Sequence, residues 1–333
     1  MSVKTYTPVA PRTPYHVSDP HARLNASEEE MYAEVLAHFT ADGYTLSGVE
    51  EKGELTEKEK FWLSRECLLR YLRASKWKAD IAIQRLESTL KWRRDYGIYD
   101  IVTADHVEPE AVTGKEILFG YDVEGRPGFY MIPSRQNTTD NDRQVQFAVW
   151  MLERCIDSME PGVETLDLLI NFADRAKHPN IGQARQVLNI LQDHYPERLG
   201  LALVLNIPFL VHAFFRLILP FVDPVTRAKL KLNPNVVGEG IFDKDMVFRD
   251  SWGGDHDFEY VHDKYWKELV ANTGGNVEKW TAKWKALGGT IGISEWAYKG
   301  GDGASAKVEE APLQVKNAAQ QDVAVVAVTV GAD

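Results

Sequence analysis

The stretch 195-YPERLGLALVLNIPFLVHAFFRLILPFVDPVTRAKL-230 decides the fold. It holds a strand-like apolar segment at 201–207, a broader apolar run at 208–221, and a polar cluster at each end. Within the run only His212 and Arg216 are strongly polar. A helix over 208–221 would extend roughly 21 Å. A membrane-spanning helix needs about 20 apolar residues, so the run does not cross a bilayer. Two settings fit it: the core of a large domain, or the wall of a cavity that holds something greasy. The residues alone leave both open.

Outward from that stretch, residues 166–172 form a second nearly continuous apolar strand, with a helix expected at 183–193 between the two. Upstream, 117–121 and 129–132 flank Asp122-Val-Glu-Gly-Arg-Pro127 as a hairpin. Val145, Val149, Leu152, Ile156 and Met159 then recur at helical spacing. Strands apolar on both faces that alternate with helices indicate a sheet covered by helices, so the class is α/β. Before it, Phe61, Leu68, Leu69 and Leu72 share one helical face, and Ile83, Leu86 and Leu90 share a second that ends near Tyr96-Gly97. This small helical unit is too short to stand alone and is expected to pack on the α/β domain.

The expected division is a partly extended tail and lead-in over 1–54, a helical unit over 55–100, a binding domain over 101–272 and a C-terminal extension over 273–333. Prolines at 8, 11, 14 and 20 mark the tail. An acidic, aromatic patch (255–266) and a Gly-rich, Trp-bearing segment precede a Gly/Ala/Val stretch from Lys299, whose distal part is expected to be disordered.

A net charge of −11 argues against nucleic acid and against permanent attachment to an anionic membrane. Cys67 and Cys155 make no disulfide framework, and no Cys/His spacing suggests zinc. His256 and His262 lack an apparent third ligand. No signal-like segment or lipidation motif opens the chain, so a cytoplasmic protein without a lipid anchor is expected. The nucleophile elbow, H-E-x-x-H, C-x-x-C, P-loop and dinucleotide-binding fingerprints are all missing. A non-enzymatic role without cofactors is the expectation.

Asp223 suits an N-cap and Pro224 the first helical position, which would place Thr226 and Lys229 on one helical face. An anion there would meet a hydroxyl, an ammonium and a helix N-terminus. A capped surface helix with a solvated lysine is the plainer reading of the same residues.

In order along the chain, the segments Leu69-Arg-Tyr-Leu-Arg-Ala-Ser-Lys-Trp77, Lys91-Trp-Arg-Arg94, Gly125-Arg-Pro127, His194-Tyr-Pro-Glu-Arg-Leu-Gly200, Asn206-Ile-Pro208, Phe221-Val-Asp-Pro-Val-Thr226 and Trp252-Gly-Gly254 resemble the CRAL-TRIO lipid-binding family. The likeness is to fungal phosphatidylinositol transfer proteins of the yeast secretory type, and Asn171-Phe172 with HYPERLG to their azole-resistance branch. It implies a helical unit beside an α/β domain whose sheet floors a hydrophobic pocket. It also implies a gate helix over that pocket, carrying Pro208, Phe209, Phe214, Phe215, Leu217, Ile218 and Phe221.

The same resemblance gives Glu197 to inositol hydroxyls, Thr226 and Lys229 to phosphate and ring, and Lys76 to a further basic position. A structural salt bridge to a neighbouring arginine is the competing role for Glu197. Ser75 stands where the yeast secretory protein has arginine, and Arg73 is the candidate to replace that contact. Leu166 and Leu168 stand where it has Ser and Thr for phosphatidylcholine; with Ile170 they are expected to form a pocket wall. Each choline-phosphate group left unpaired against leucine costs about 1–3 kcal/mol. The resemblance therefore implies phosphatidylinositol as cargo, weak or absent phosphatidylcholine transfer, and a sterol as the fitting second ligand. A transient membrane surface, lipid droplets and a lipid kinase are the implied partners. A sterol carrier with phosphatidylinositol secondary is the alternative, and an enzyme or scaffold with a filled pocket the further one.

Overall fold

The computed structural model describes residues 4–12, 15, 16, 18–49, 53–173, 181–209 and 227–301. Five strands form the central sheet: β2 (Glu116–Tyr121), β3 (Pro127–Met131), β4 (Leu166–Asn171), β5 (Leu199–Leu205) and β6 (Leu230–Leu232), in that spatial order. β2 pairs antiparallel with β3 through the expected hairpin, and β3 to β6 run parallel. Parallel neighbours need a crossover. α6 (Asn141–Ile156) supplies the one from β3 to β4, and α7 (Ile181–His194) the one from β4 to β5.

Strand alternation sorts the side chains. Tyr130, Leu169 and Leu203 stand in register on one face and are all 1% exposed or less. Phe129, Leu168, Ala202 and Leu230 stand in register on the other, where Leu168, Ala202 and Leu230 are only half-buried. Asp167, fully buried beside Asp122, is the polar interruption of β4. Burial, then the neighbouring Asp122 carboxylate, push its carboxyl well above the usual range.

The helical unit is larger than its periodicity suggests. α1 (Ala26–Thr40) starts inside the segment expected as tail and lead-in, with Asn25 and Glu28 forming a capping box. The first expected helix is two: α2 (Glu57–Trp62) and α3 (Arg65–Ala74), separated where Ser64 caps the second by accepting from the Cys67 N–H. α4 (Ala79–Asp95) ends where expected. Val35, Phe39, Leu63, Leu68, Leu69, Leu72, Leu86 and Leu90 make its core.

A short helix α5 (Ala104–Ala111) leads into the sheet, and α8 (His262–Ala286) and α9 (Glu295–Lys299) close the described chain. α8 runs unbroken through residues 272 and 273, so the boundary expected there falls inside a helix. Trp280, Trp284 and Tyr298 pack with Phe61 of α2, joining this end of the chain to the helical unit. The described residues ahead of α1 are pinned to the rest of the protein. β1 (Lys4–Thr5) pairs with β7 (Asp257–Phe258), Arg12 bridges Asp243 and Asp245, and the Tyr15 ring lies against Gly125, leaving no room there for a Cβ.

Buried polar groups join the helical unit to the α/β domain. Arg93 of α4 makes two hydrogen bonds to Glu153 of α6, at 2.8 and 3.1 Å, and the Tyr195 hydroxyl donates to the same carboxylate at 2.6 Å. Burial alone would push the Glu153 carboxyl up; the Arg93 guanidinium and these hydrogen bonds override it and hold it at about 2. A carboxyl depressed on folding stabilises the fold above its unfolded value and loses that contribution as pH falls towards the folded one. For Glu153 the window runs from about 4.5 down to about 2. Arg93→Ala leaves a buried carboxylate unpaired and is expected to cost about 3–5 kcal/mol in urea unfolding at neutral pH. The deficit should shrink as pH falls, because without Arg93 burial favours the protonated Glu153 carboxyl, while the wild type loses its own contribution between about 4.5 and about 2.

Candidate functional site

The segment Tyr195-Pro196-Glu197-Arg198 feeds directly into β5. Parallel pairing sets the amino end of β6 beside it: the Ala202 N–H donates to the Lys229 carbonyl at 2.9 Å. Lys229 thus stands on the turn between the helical residues Arg227 and Ala228 and the start of β6. Its Nζ donates to the Leu199 carbonyl at 2.6 Å. Thr226, the expected partner of Lys229, lies outside the described residues.

α3 brings its last turn to the same corner. Arg73 Nε donates to Glu197 Oε2 at 2.6 Å, and Nη2 reaches Glu164 Oε1 at 3.1 Å. The structure therefore gathers Glu197, Arg73 and Lys229, and it gives Glu197 the arginine partner weighed against a headgroup role. Lys76 is exposed on the turn after α3, where Lys76 and Trp77 both take left-handed backbone angles. The Ser75 hydroxyl is buried and has no hydrogen-bond partner among the described residues.

Three residues at this corner carried no sequence signal strong enough to single them out. Glu164, just before β4, is bound by Arg70 at 2.5 Å, by Arg73 and by His21. Burial would raise its carboxyl, but Arg70, the His21 hydrogen bond and Arg73 hold it far below the usual range. Arg198 is 8% exposed and donates to the Glu164 carbonyl at 2.9 Å. No carboxylate lies within 4 Å of its guanidinium among the described residues. Burial and then Arg70 lower its pKa. One signal was available: Arg70 sits between Leu69 and Tyr71 on the buried side of α3, where a charge needs a partner.

Around this corner Arg70 and Arg73 pair with Glu164, Arg73 with Glu197, and Arg70 and Lys299 with Glu295, while Arg198 and Lys229 donate to backbone carbonyls. Such a corner suits an anion, while Glu197 offers acceptors to a hydroxyl-bearing group.

Of the expected pocket wall, Leu168 and Ile170 lie on the less buried face of β4, in register with Ala202 and Val204 of β5. Leu166 is 4% exposed and belongs to the main core. Of the expected gate, Pro208 and Phe209 are described, and Phe209 is 85% exposed. Phe214, Phe215, Leu217, Ile218 and Phe221 lie outside the described residues. A cleft of about 460 Å³ lies instead at the seam of α4 and α7, against the stacked rings of Trp92 and His194. It shares no residue with the expected wall. No group of side chains among the described residues could hold a metal ion; His256 is tied to Thr5 and the Asp245 carbonyl, and His262 to Tyr260 and Glu108. No helix among them is long and apolar enough to cross a membrane.

The CRAL/TRIO domain matches residues 111–244, and the CRAL/TRIO N-terminal domain matches residues 31–88. A CRAL-TRIO domain-containing protein of Schizosaccharomyces pombe is 46% identical over 286 residues, covering 85% of this chain but only 28% of that much longer relative. The phosphatidylinositol transfer protein PDR17 of Saccharomyces cerevisiae is 37% identical over 306 residues, covering 83% of this chain and 85% of the relative. Among solved structures, that of Sfh5 superposes with a TM-score of 0.53 at 15% identity, over 76% of this chain and 98% of its own.

Glu197 has a φ of +55°, a left-handed conformation that costs a residue with a Cβ roughly 1–2 kcal/mol. Glycine would relieve that strain, while the part-exposed pair with Arg73 contributes at most about 1 kcal/mol. Glu197→Gly is therefore expected to leave thermal stability unchanged or slightly raised in calorimetry, and a large drop would mean that the carboxylate is structural.

Proposed function

The chain belongs to the CRAL/TRIO family, and from that premise we propose that it is a phosphatidylinositol transfer protein. It extracts one phospholipid, shields the acyl chains and releases the lipid to another membrane, with no covalent bond changed. The observation that carries this reading is the convergence of Glu197, Arg73 and Lys229 at the amino ends of β5 and β6. That cluster adjoins the sheet face on which Leu168, Ile170 and Ala202 stay half-buried. A phosphodiester takes the cations and an inositol ring donates its hydroxyls to Glu197. The acyl chains take the apolar rows, which run along the strands away from the charged corner.

Transfer of this kind is an exchange near balance. Each buried CH₂ is worth about 0.8 kcal/mol, but the lipid gives up similar burial in the bilayer. Selectivity then falls to the headgroup contacts. Leu168 offers no hydrogen bond to a choline phosphate, so phosphatidylcholine transfer is weak or absent in this reading. The same apolar row favours a sterol as second ligand, and a sterol carrier with phosphatidylinositol secondary is the alternative. The protein would work from the cytoplasm, touching membranes or lipid droplets transiently through an apolar gate that includes Phe209, and would hand lipid to a membrane or a lipid kinase. Thr226 and Lys76 complete the headgroup site in this proposal, and Pro208, Phe214, Phe215, Leu217, Ile218 and Phe221 the gate.

Vesicle transfer tests it. Labelled phosphatidylinositol should move between vesicles, labelled phosphatidylcholine should not, and Glu197→Ala combined with Lys229→Ala should lower the former at least tenfold, or about 1.4 kcal/mol. Absence of phosphatidylinositol transfer by the wild type, or no change in the double variant, contradicts the proposal.

A further inference from the structure

Arg73 is strung between two carboxylates of different character. Glu164 is fixed: its side chain is 10% exposed, Arg70 holds Oε2 at 2.5 Å, and His21 shares Oε1 with Arg73. Arg70 is itself locked, 4% exposed and within 3.5 Å of Glu295. Arg198 clamps the backbone of Glu164 through its carbonyl. Glu197 is looser, with a side chain 38% exposed and Arg73 as its ion-pair partner. Its left-handed backbone holds it out of the regular course of the chain entering β5.

A guanidinium carries five N–H donors in a rigid planar fork, so it can keep one oxygen partner while exchanging another. Without ligand both faces of the Arg73–Glu197 pair are satisfied by each other, and Lys229 is satisfied by the Leu199 carbonyl. An arriving phosphodiester competes with Glu197 for Arg73 Nε, and the inositol hydroxyls then replace Arg73 on Glu197.

We propose that Glu164 is a positioning residue: it keeps Arg73 at the headgroup site while Glu197 changes partner from Arg73 to the ligand. Headgroup entry is then an exchange of partners in which no charge is left unpaired at a partly desolvated corner, the condition that makes a buried charge costly. Of the cations on α3, Arg73 is the one that an ion pair joins to Glu197 among the described residues.

The inference rests on the phosphatidylinositol reading, and a double-mutant cycle on the full chain separates the two. Transfer of labelled phosphatidylinositol from phosphatidylcholine vesicles is measured for wild type, Glu164→Gln, Arg73→Gln and the double variant. Each single change should lower transfer about tenfold, and the double should be no lower than Arg73→Gln alone, because Glu164 acts through Arg73. A role for Glu164 in stability alone would give losses that multiply. Should Glu164→Gln fail to fold, Arg73→Lys decides: a single ammonium lacks the planar fork whose separate nitrogens, Nε and Nη2, reach Glu197 and Glu164 from one side chain, so transfer should fall to the Arg73→Gln level. Multiplying losses, or wild-type transfer by Arg73→Lys, overturn the positioning role and leave the lipid assignment standing. Absence of phosphatidylinositol transfer by the wild type overturns both.

Discussion

The parallel pairing of β5 with β6 is the constraint on which the rest turns. It sets residues 197–199 beside Lys229, and because parallel strands share a direction, both polar groups fall at one end of the sheet while the apolar rows extend from it. β5 in turn pairs with β4, whose lead-in carries Glu164 to the same corner. One edge of one sheet thus becomes charged and its face apolar, a division that suits a molecule with a polar head and greasy tails.

The helical unit is part of that site as well as a support for it. Arg70 and Arg73 come from α3, so the corner exists only while the unit is docked. Docking is enforced by Arg93 on Glu153 and by the Tyr71 hydroxyl, which donates to the His194 carbonyl at 3.0 Å. Ion pairs buried in this way contribute little net stability but penalise every arrangement that separates the partners. Geometry at the corner is therefore held to a narrower range than packing alone would give.

β4 and β5 were legible because they are nearly continuous apolar runs, broken in β4 by Asp167, and α6 because its apolar residues recur at 3.6. β6 was not, being three residues, Leu-Lys-Leu, defined by the neighbour it pairs with. α8 hid behind Gly274 and Gly275, each costing about 1 kcal/mol in a helix, with Trp280 and Trp284 holding the far half through tertiary contact. α1 shows only Val35 and Phe39 as buried residues, too few for a periodic signal, although the Asn25–Glu28 capping box could have announced it. Glu197 was readable from its motif. Glu164 was not, since nothing within a few residues of it distinguishes a surface glutamate from one on which two arginines and a histidine converge.

The central claim is that this charged corner and apolar face hold phosphatidylinositol. Native mass spectrometry of the full chain, with identification of the lipid released on unfolding, tests it most directly. The account predicts one phosphatidylinositol per chain, depleted in the Glu197→Ala variant. Recovery of a sterol alone, or of phosphatidylcholine in its place, would contradict it.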